Sequence, residues 1–177
     1  MARIAVDMDE VMADTLGAHL LRYNRDFSTS IGAADLQGKW LWQIVPVDHH
    51  VQLQAYLDEP EFFGELPVLD GAQRVLERLS RDHDVYVASA AMEVPRSFTA
   101  KFAWMDRHFP FIAPSHRVFC GEKSILRTDY LIDDNPRQLR AFVGTGLLYD
   151  APHNQLATGW PRLMGWDGVE KYFYPEG

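Results

Sequence analysis

Apolar and polar positions follow two rhythms along this chain. Short apolar runs stop abruptly at polar residues: Ile4-Ala5-Val6, Asp84-Val85-Tyr86-Val87-Ala88-Ser89, Arg117-Val118-Phe119-Cys120, Tyr130-Leu131-Ile132 and Leu147-Leu148-Tyr149. Runs of this length suit strands buried on both faces. Between them stand apolar stripes at helical spacing. Leu16, Leu20, Tyr23 and Phe27 form one, Ala72, Val75, Leu76 and Leu79 a second, and Phe98, Phe102, Met105 and Phe109 a third. Asp70 is placed to cap the second helix, Pro110 to end the third, and a fourth helix is expected around Arg137–Phe142.

Strands that alternate with helices predict an α/β fold, a doubly wound, Rossmann-like parallel sheet of about five strands. Residues 28–68 break the alternation. They hold Trp40, Trp42, Pro46, Pro60, Pro67 and the pair Phe62-Phe63, which predicts short helices joined by turns. The stretch is too long for a simple crossover. The expected organisation is a core of residues 1–14 and 70–177 with a small helical cap, residues 15–69, inserted after the first strand.

Composition narrows the function. At 177 residues, 47% hydrophobic and 24% charged, the chain can build a core without staples. The formal net charge is 17 − 25 = −8, a poor match for a nucleic-acid polymer, although a small phosphorylated ligand can still be held locally. A single cysteine, Cys120, excludes an internal disulfide and a Cys-rich zinc site. Acids arrive by Asp7, too early for a signal peptide, and no apolar run approaches the length of a membrane helix. A cytoplasmic protein with no membrane partner is the expectation, and a homodimer is left open.

The polar residues that end the strands fit one chemistry. Asp7 and Asp9 follow the first strand, Ser89 ends the second, Lys123 follows the third, and Asp133-Asp134 end the fourth. In a doubly wound sheet these ends face one crevice, where ligands bind. Four carboxylates converging there, from Asp7, Asp9, Asp133 and Asp134, call for a hard cation that takes oxygen ligands, such as Mg²⁺. Metal, lysine and hydroxyl together make a receptor for a phosphoryl group.

The order Asp-x-Asp, Ser, Lys, Asp-Asp resembles the haloacid dehalogenase superfamily of phosphatases. The resemblance implies that Asp7 is the nucleophile and a metal ligand. It makes Asp9 the general acid/base with its carbonyl on the metal, Ser89 and Lys123 the phosphoryl ligands, and Asp133 and Asp134 the remaining metal ligands. Within that superfamily the chain is similar to the 5′(3′)-deoxyribonucleotidases. Val6-Asp7-Met8-Asp9, Ala13-Asp14, Phe62-Phe63-Gly64-Glu65-Leu66, Lys101-Phe102-Ala103-Trp104, Leu131-Ile132-Asp133-Asp134 and His153-Asn154 carry the likeness. The implied substrate is a small phosphomonoester, a deoxynucleoside monophosphate.

The base-reading positions depart from the family pattern. Glu10 stands where the vertebrate members have Gly. Ser89-Ala90-Ala91 replaces Thr-Ser-Pro, so Ala90 lacks a hydroxyl. Thr15 stands at a base-stacking aromatic, Asn135 at an Arg, and Lys39-Trp40 at Phe-Trp. Trp40, Ala90 and Asn135 are accordingly the candidate substrate contacts, although Trp40 and Trp42 also read as packing of the cap. Phe62-Phe63 read as core, His49-His50 as surface, and His153-Asn154 as neighbours of the crevice. Three other readings stay open: a phosphatase for another metabolite, a phospho-receiver domain, and a catalytically idle scaffold. A receiver would place its acidic pair first and its lysine last.

Overall fold

The computed structural model describes residues 1–175. Its elements run β1 (Arg3–Val6), α1 (Thr15–Phe27), α2 (Leu41–Ile44), α3 (His50–Asp58), α4 (Pro60–Gly64), α5 (Ala72–Asp82) and β2 (Asp84–Ser89). They continue with α6 (Ser97–His108), β3 (Arg117–Phe119), β4 (Tyr130–Asp133), α7 (Pro136–Ala141), β5 (Thr145–Tyr149), β6 (Arg162–Leu163) and α8 (Gly165–Phe173). All six strands are parallel, in the order β3-β2-β1-β4-β5-β6. The sequence predicts about five strands. The sixth, Arg162–Leu163, is two residues long and carries no apolar run, so only its pairing with Leu148 and Tyr149 defines it.

Alternation along the strands divides the core. Ile4, Val6, Val85, Val87, Ile132, Leu147 and Tyr149 point to one face, where the larger apolar cluster lies. Ala5, Ala88, Leu131 and Leu148 point to the other, under Leu139 and Phe142. The larger cluster also takes in Leu20, Tyr23, Leu53, Tyr56, Phe62 and Phe63 from residues 15–69, so the insert shares the core of the sheet. Trp104 on α6 is fully buried and donates its Nε1–H to Leu66 O at 2.8 Å. Trp166 on α8 is equally buried and donates to Val11 O at 2.8 Å, tying the C-terminal helix to the loop after β1.

Three expectations are corrected. Asp70 does not cap α5. Gly71 holds the N-cap position at φ +80°, and a Cβ there would stand 3.0 Å from Trp166 Cβ. This tight left-handed turn against Trp166 suits glycine. His49-His50 is not open surface but half-buried: the His49 ring stacks on Phe27 at 3.8 Å, its Nδ1 lies 2.7 Å from Tyr23 Oη, and His50 meets the edge of Trp42 at 5.5 Å. Trp40 is not packing of an interior, since it is 41% exposed, whereas Trp42 packs against the larger cluster as expected, partly buried. Among the described residues no helix is long and apolar enough to cross a membrane.

Candidate active site

The carboxyl ends of β1, β2 and β4 and the loop after β3 meet at one edge of the sheet, at the switch point where β1 has β2 on one side and β4, which follows β3 in the chain, on the other. A cavity of about 270 Å³ opens there. Its floor holds Asp7, Asp9, Lys101, Lys123, Asp133 and Asp134, and Leu16, His19, Trp40, Trp42 and Phe63 come from the insert.

The loop after β1 is built to aim acids. Glu10 adopts φ +61°, and Glu10 N donates to Ala13 O at 2.9 Å while Met12 N donates to Met8 O at 2.8 Å. The tight turn closes on residues 67–69 through Asp14 N to Pro67 O and Leu69 N to Met12 O, both 2.9 Å. Asp14 then caps α1, accepting from Gly17 N at 2.8 Å. Glu10 accepts from Leu16 N at 2.5 Å. Burial and the nearby Asp134 hold its carboxyl well above the usual range.

Two lysines organise the acids. Lys123, 1% exposed, bonds Asp7 Oδ1 and reaches Asp133 Oδ2 at 2.6 Å. Its loop is braced by Gln138, which accepts from Lys123 N at 3.1 Å and donates to Gly121 O at 2.9 Å. The other oxygen of Asp133 accepts from Asn135 N at 2.8 Å. Lys101, on α6, bonds Asp9 Oδ2 and stands 3.2 Å from Ser89 Oγ, with its ammonium 4.4 Å over the Phe63 ring. Asp9 Oδ1 accepts from Thr15 Oγ1 at 3.1 Å.

Asp7, Asp133 and Asp134 each offer an oxygen within 4.8 Å of the others, all three buried. Burial pushes Asp7 up to about 7 and Asp133 to about 6 against the opposing pull of Lys123, and burial also raises Asp134. Three buried carboxylates around one ammonium are short of positive charge. An all-oxygen, anionic donor set of this size fits a hard divalent ion.

The structure brings Asp7, Asp9, Lys123, Asp133 and Asp134 together as their strand-end positions predict. Ser89 is fully buried and sits behind Lys101, which itself lines the cavity. Ala90 lines the wall. Asn135 lines it too, while its side chain accepts from Arg137 N at 3.0 Å and so caps α7. Trp40 lies at the mouth. Two residues went unassigned on sequence grounds. Lys101 lies mid-helix in one of the stretches that carry the family likeness, and only the docking of α6 brings it to Asp9. His19, which no motif singles out, proves to be a wall of the cavity.

The protein-family model described as 5′ nucleotidase, deoxy (pyrimidine), cytosolic type C, matches residues 1–174. A Staphylococcus epidermidis protein provisionally named a 5′(3′)-deoxyribonucleotidase is 45% identical over 97% of this chain and 95% of its own. A Bacillus subtilis 5′(3′)-deoxyribonucleotidase is 35% identical over 95% and 96%. Among solved structures, a haloacid dehalogenase-like hydrolase from Streptococcus pneumoniae superposes with a TM-score of 0.65 at 10% identity, covering 99% of each chain. That likeness is one of fold.

Proposed function

Because this chain belongs to the cytosolic type C 5′-nucleotidase family, whose members hydrolyse phosphoric monoesters, we propose that it cleaves the phosphate from a deoxynucleoside 5′-monophosphate, with Mg²⁺ as the bound metal. The single observation that carries this reading is the buried Asp7–Lys123–Asp133 cluster at the floor of a cavity whose upper wall is aromatic. Phosphate chemistry needs the floor, and a nucleoside fits the wall. We assign residues 15–69 as the cap that encloses the substrate.

Asp7, Asp133 and Asp134 would hold the metal ion, which supplies charge to offset the phosphoryl oxygens. The protein residues do the rest. Lys123 binds a phosphoryl oxygen and keeps Asp7 in place. Asp7 attacks phosphorus, forming an aspartyl-phosphate as the nucleoside oxygen leaves. Asp9 donates the proton to that oxygen, then takes one from the water that attacks the aspartyl-phosphate. Lys101, held between Asp9 and Ser89, adds a second positive charge facing the phosphoryl group. Burial of Asp7 and Lys123 keeps bulk water from the nucleophile and strengthens each of these contacts.

The test is phosphate release with Mg²⁺ from deoxynucleotides, ribonucleotides, 3′-monophosphates, sugar phosphates and para-nitrophenyl phosphate, with a chelator control. Deoxynucleoside 5′-monophosphates should lead, and Asp7→Asn should release nothing. Normal turnover by Asp7→Asn would refute the mechanism. Release confined to non-nucleotide esters would refute the substrate assignment and leave the chemistry standing.

A further inference from the structure

The three acids of the cluster are not held alike. Asp7 is fixed by Lys123, and Asp133 by Lys123 on one oxygen and Asn135 N on the other. Among the described residues, the one side chain that reaches the Asp134 carboxylate is His153, its Nε2 3.1 Å from Oδ2. The same nitrogen lies 3.2 Å from Asp134 O. A carbonyl only accepts, so Nε2 carries the hydrogen and is shared between the two oxygens.

His153 does not hold the backbone alone. Asn154 Nδ2 donates to Asp134 O at 2.7 Å and to Tyr149 O at 2.8 Å. The contribution specific to His153 is therefore the rotamer of the Asp134 carboxylate. Its imidazole is in turn clamped from the insert: the Trp40 ring stacks on it with centroids 3.6 Å apart and planes 16° from parallel. Beside the stack, Gly38 N donates to Pro152 O at 2.9 Å, so backbone and ring close the same seam between insert and sheet edge.

We propose that His153 is a positioning residue that presets the Asp134 carboxylate for the metal ion, and that Trp40, stacked on its outer face, makes this setting depend on the seating of the cap. The inference rests on the metal-binding reading of the acidic cluster. Its mechanism is the general one by which groups outside a metal's ligand set orient a ligand, and losing such a group typically weakens metal binding by about 10- to 100-fold.

The experiment measures Mn²⁺ binding to the intact protein, reading free Mn²⁺ by electron paramagnetic resonance with no substrate present. His153→Phe keeps a ring under Trp40 and loses the N–H, so its Mn²⁺ dissociation constant should rise about tenfold or more. Its melting temperature should stay near wild type, because Asn154 still pins the loop. His153→Gln, which retains a donor, should recover part of the affinity. Trp40→Ala should weaken Mn²⁺ binding several-fold, and Trp40→Phe should restore it. Binding by His153→Phe within twofold of wild type would overturn the role of His153. Unchanged binding by Trp40→Ala beside a weakened His153→Phe would overturn the link to the cap. Failure of the wild type to bind Mn²⁺, or of Asp133→Asn to weaken it, would overturn the metal reading itself and this inference with it.

Discussion

His19 gives a quantitative handle on the wall of the cavity. Its ring is 6% exposed and packs edge-on against Trp42, Tyr56 and Phe62 at 5.6–5.9 Å. Nε2 lies 3.1 Å from Leu53 O, an acceptor, so it carries the hydrogen of a neutral imidazole. Burial lowers the pKa from 6.5 to about 4, with Arg22 adding in the same direction. The unfolded chain therefore binds a proton here below about pH 6.5 that the folded chain refuses until about pH 4. Stability from this group is fully present above pH 6.5 and is lost as the pH falls towards 4. At about 1.36 kcal/mol per pH unit, the loss between pH 7 and pH 5 comes to about 2 kcal/mol. Urea denaturation of wild type and His19→Gln in chelator at pH 5, 6, 7 and 8 isolates the term, because the other titrating groups are common to both. The glutamine keeps a donor for Leu53 O and cannot titrate. Wild type should lose about 2 kcal/mol more than the variant over that interval. Parallel profiles would refute the claim that this imidazole is held neutral.

Lys101→Met keeps an unbranched stem over Phe63 and removes the charge beside Asp9, so kcat should fall by about 100- to 1000-fold, as for loss of one transition-state donor. Steady-state kinetics would detect it, and a kcat within a few-fold of wild type would return Lys101 to a structural role. Trp104→Ala empties a fully buried site and orphans Leu66 O, which should cost about 3–5 kcal/mol in urea unfolding. Adding Mg²⁺ at about 100 times its dissociation constant should stabilise the fold by about 2.7 kcal/mol. That gain should read as a rise in melting temperature that Asp133→Asn loses.

Much of this protein is written locally. Apolar runs of strand length and stripes of helical spacing give the α/β alternation directly, because each element must bury its own face. Asp7, Asp9, Asp133 and Asp134 stand at or just beyond strand ends and Lys123 in the loop after β3, and parallel topology delivers these ends and the loops that leave them to a common edge. That is why the acidic cluster can be read from the chain before any coordinates.

What tertiary structure decided are contacts whose partner the local sequence does not name. Strand β6 exists only as the partner of β5. Lys101 meets Asp9 across a separation of 92 residues, through the docking of α6. Gly71 rather than Asp70 opens α5, because the turn takes φ +80° and Trp166, far along the chain, crowds the place a Cβ would occupy to 3.0 Å. Trp40 and His153 can each be singled out in the sequence, but their stack forms only when the insert folds over the sheet edge and sets one upon the other. Periodicity reports which face of an element is buried. It does not report what another element will press against that face, and the finer parts of this site are made there.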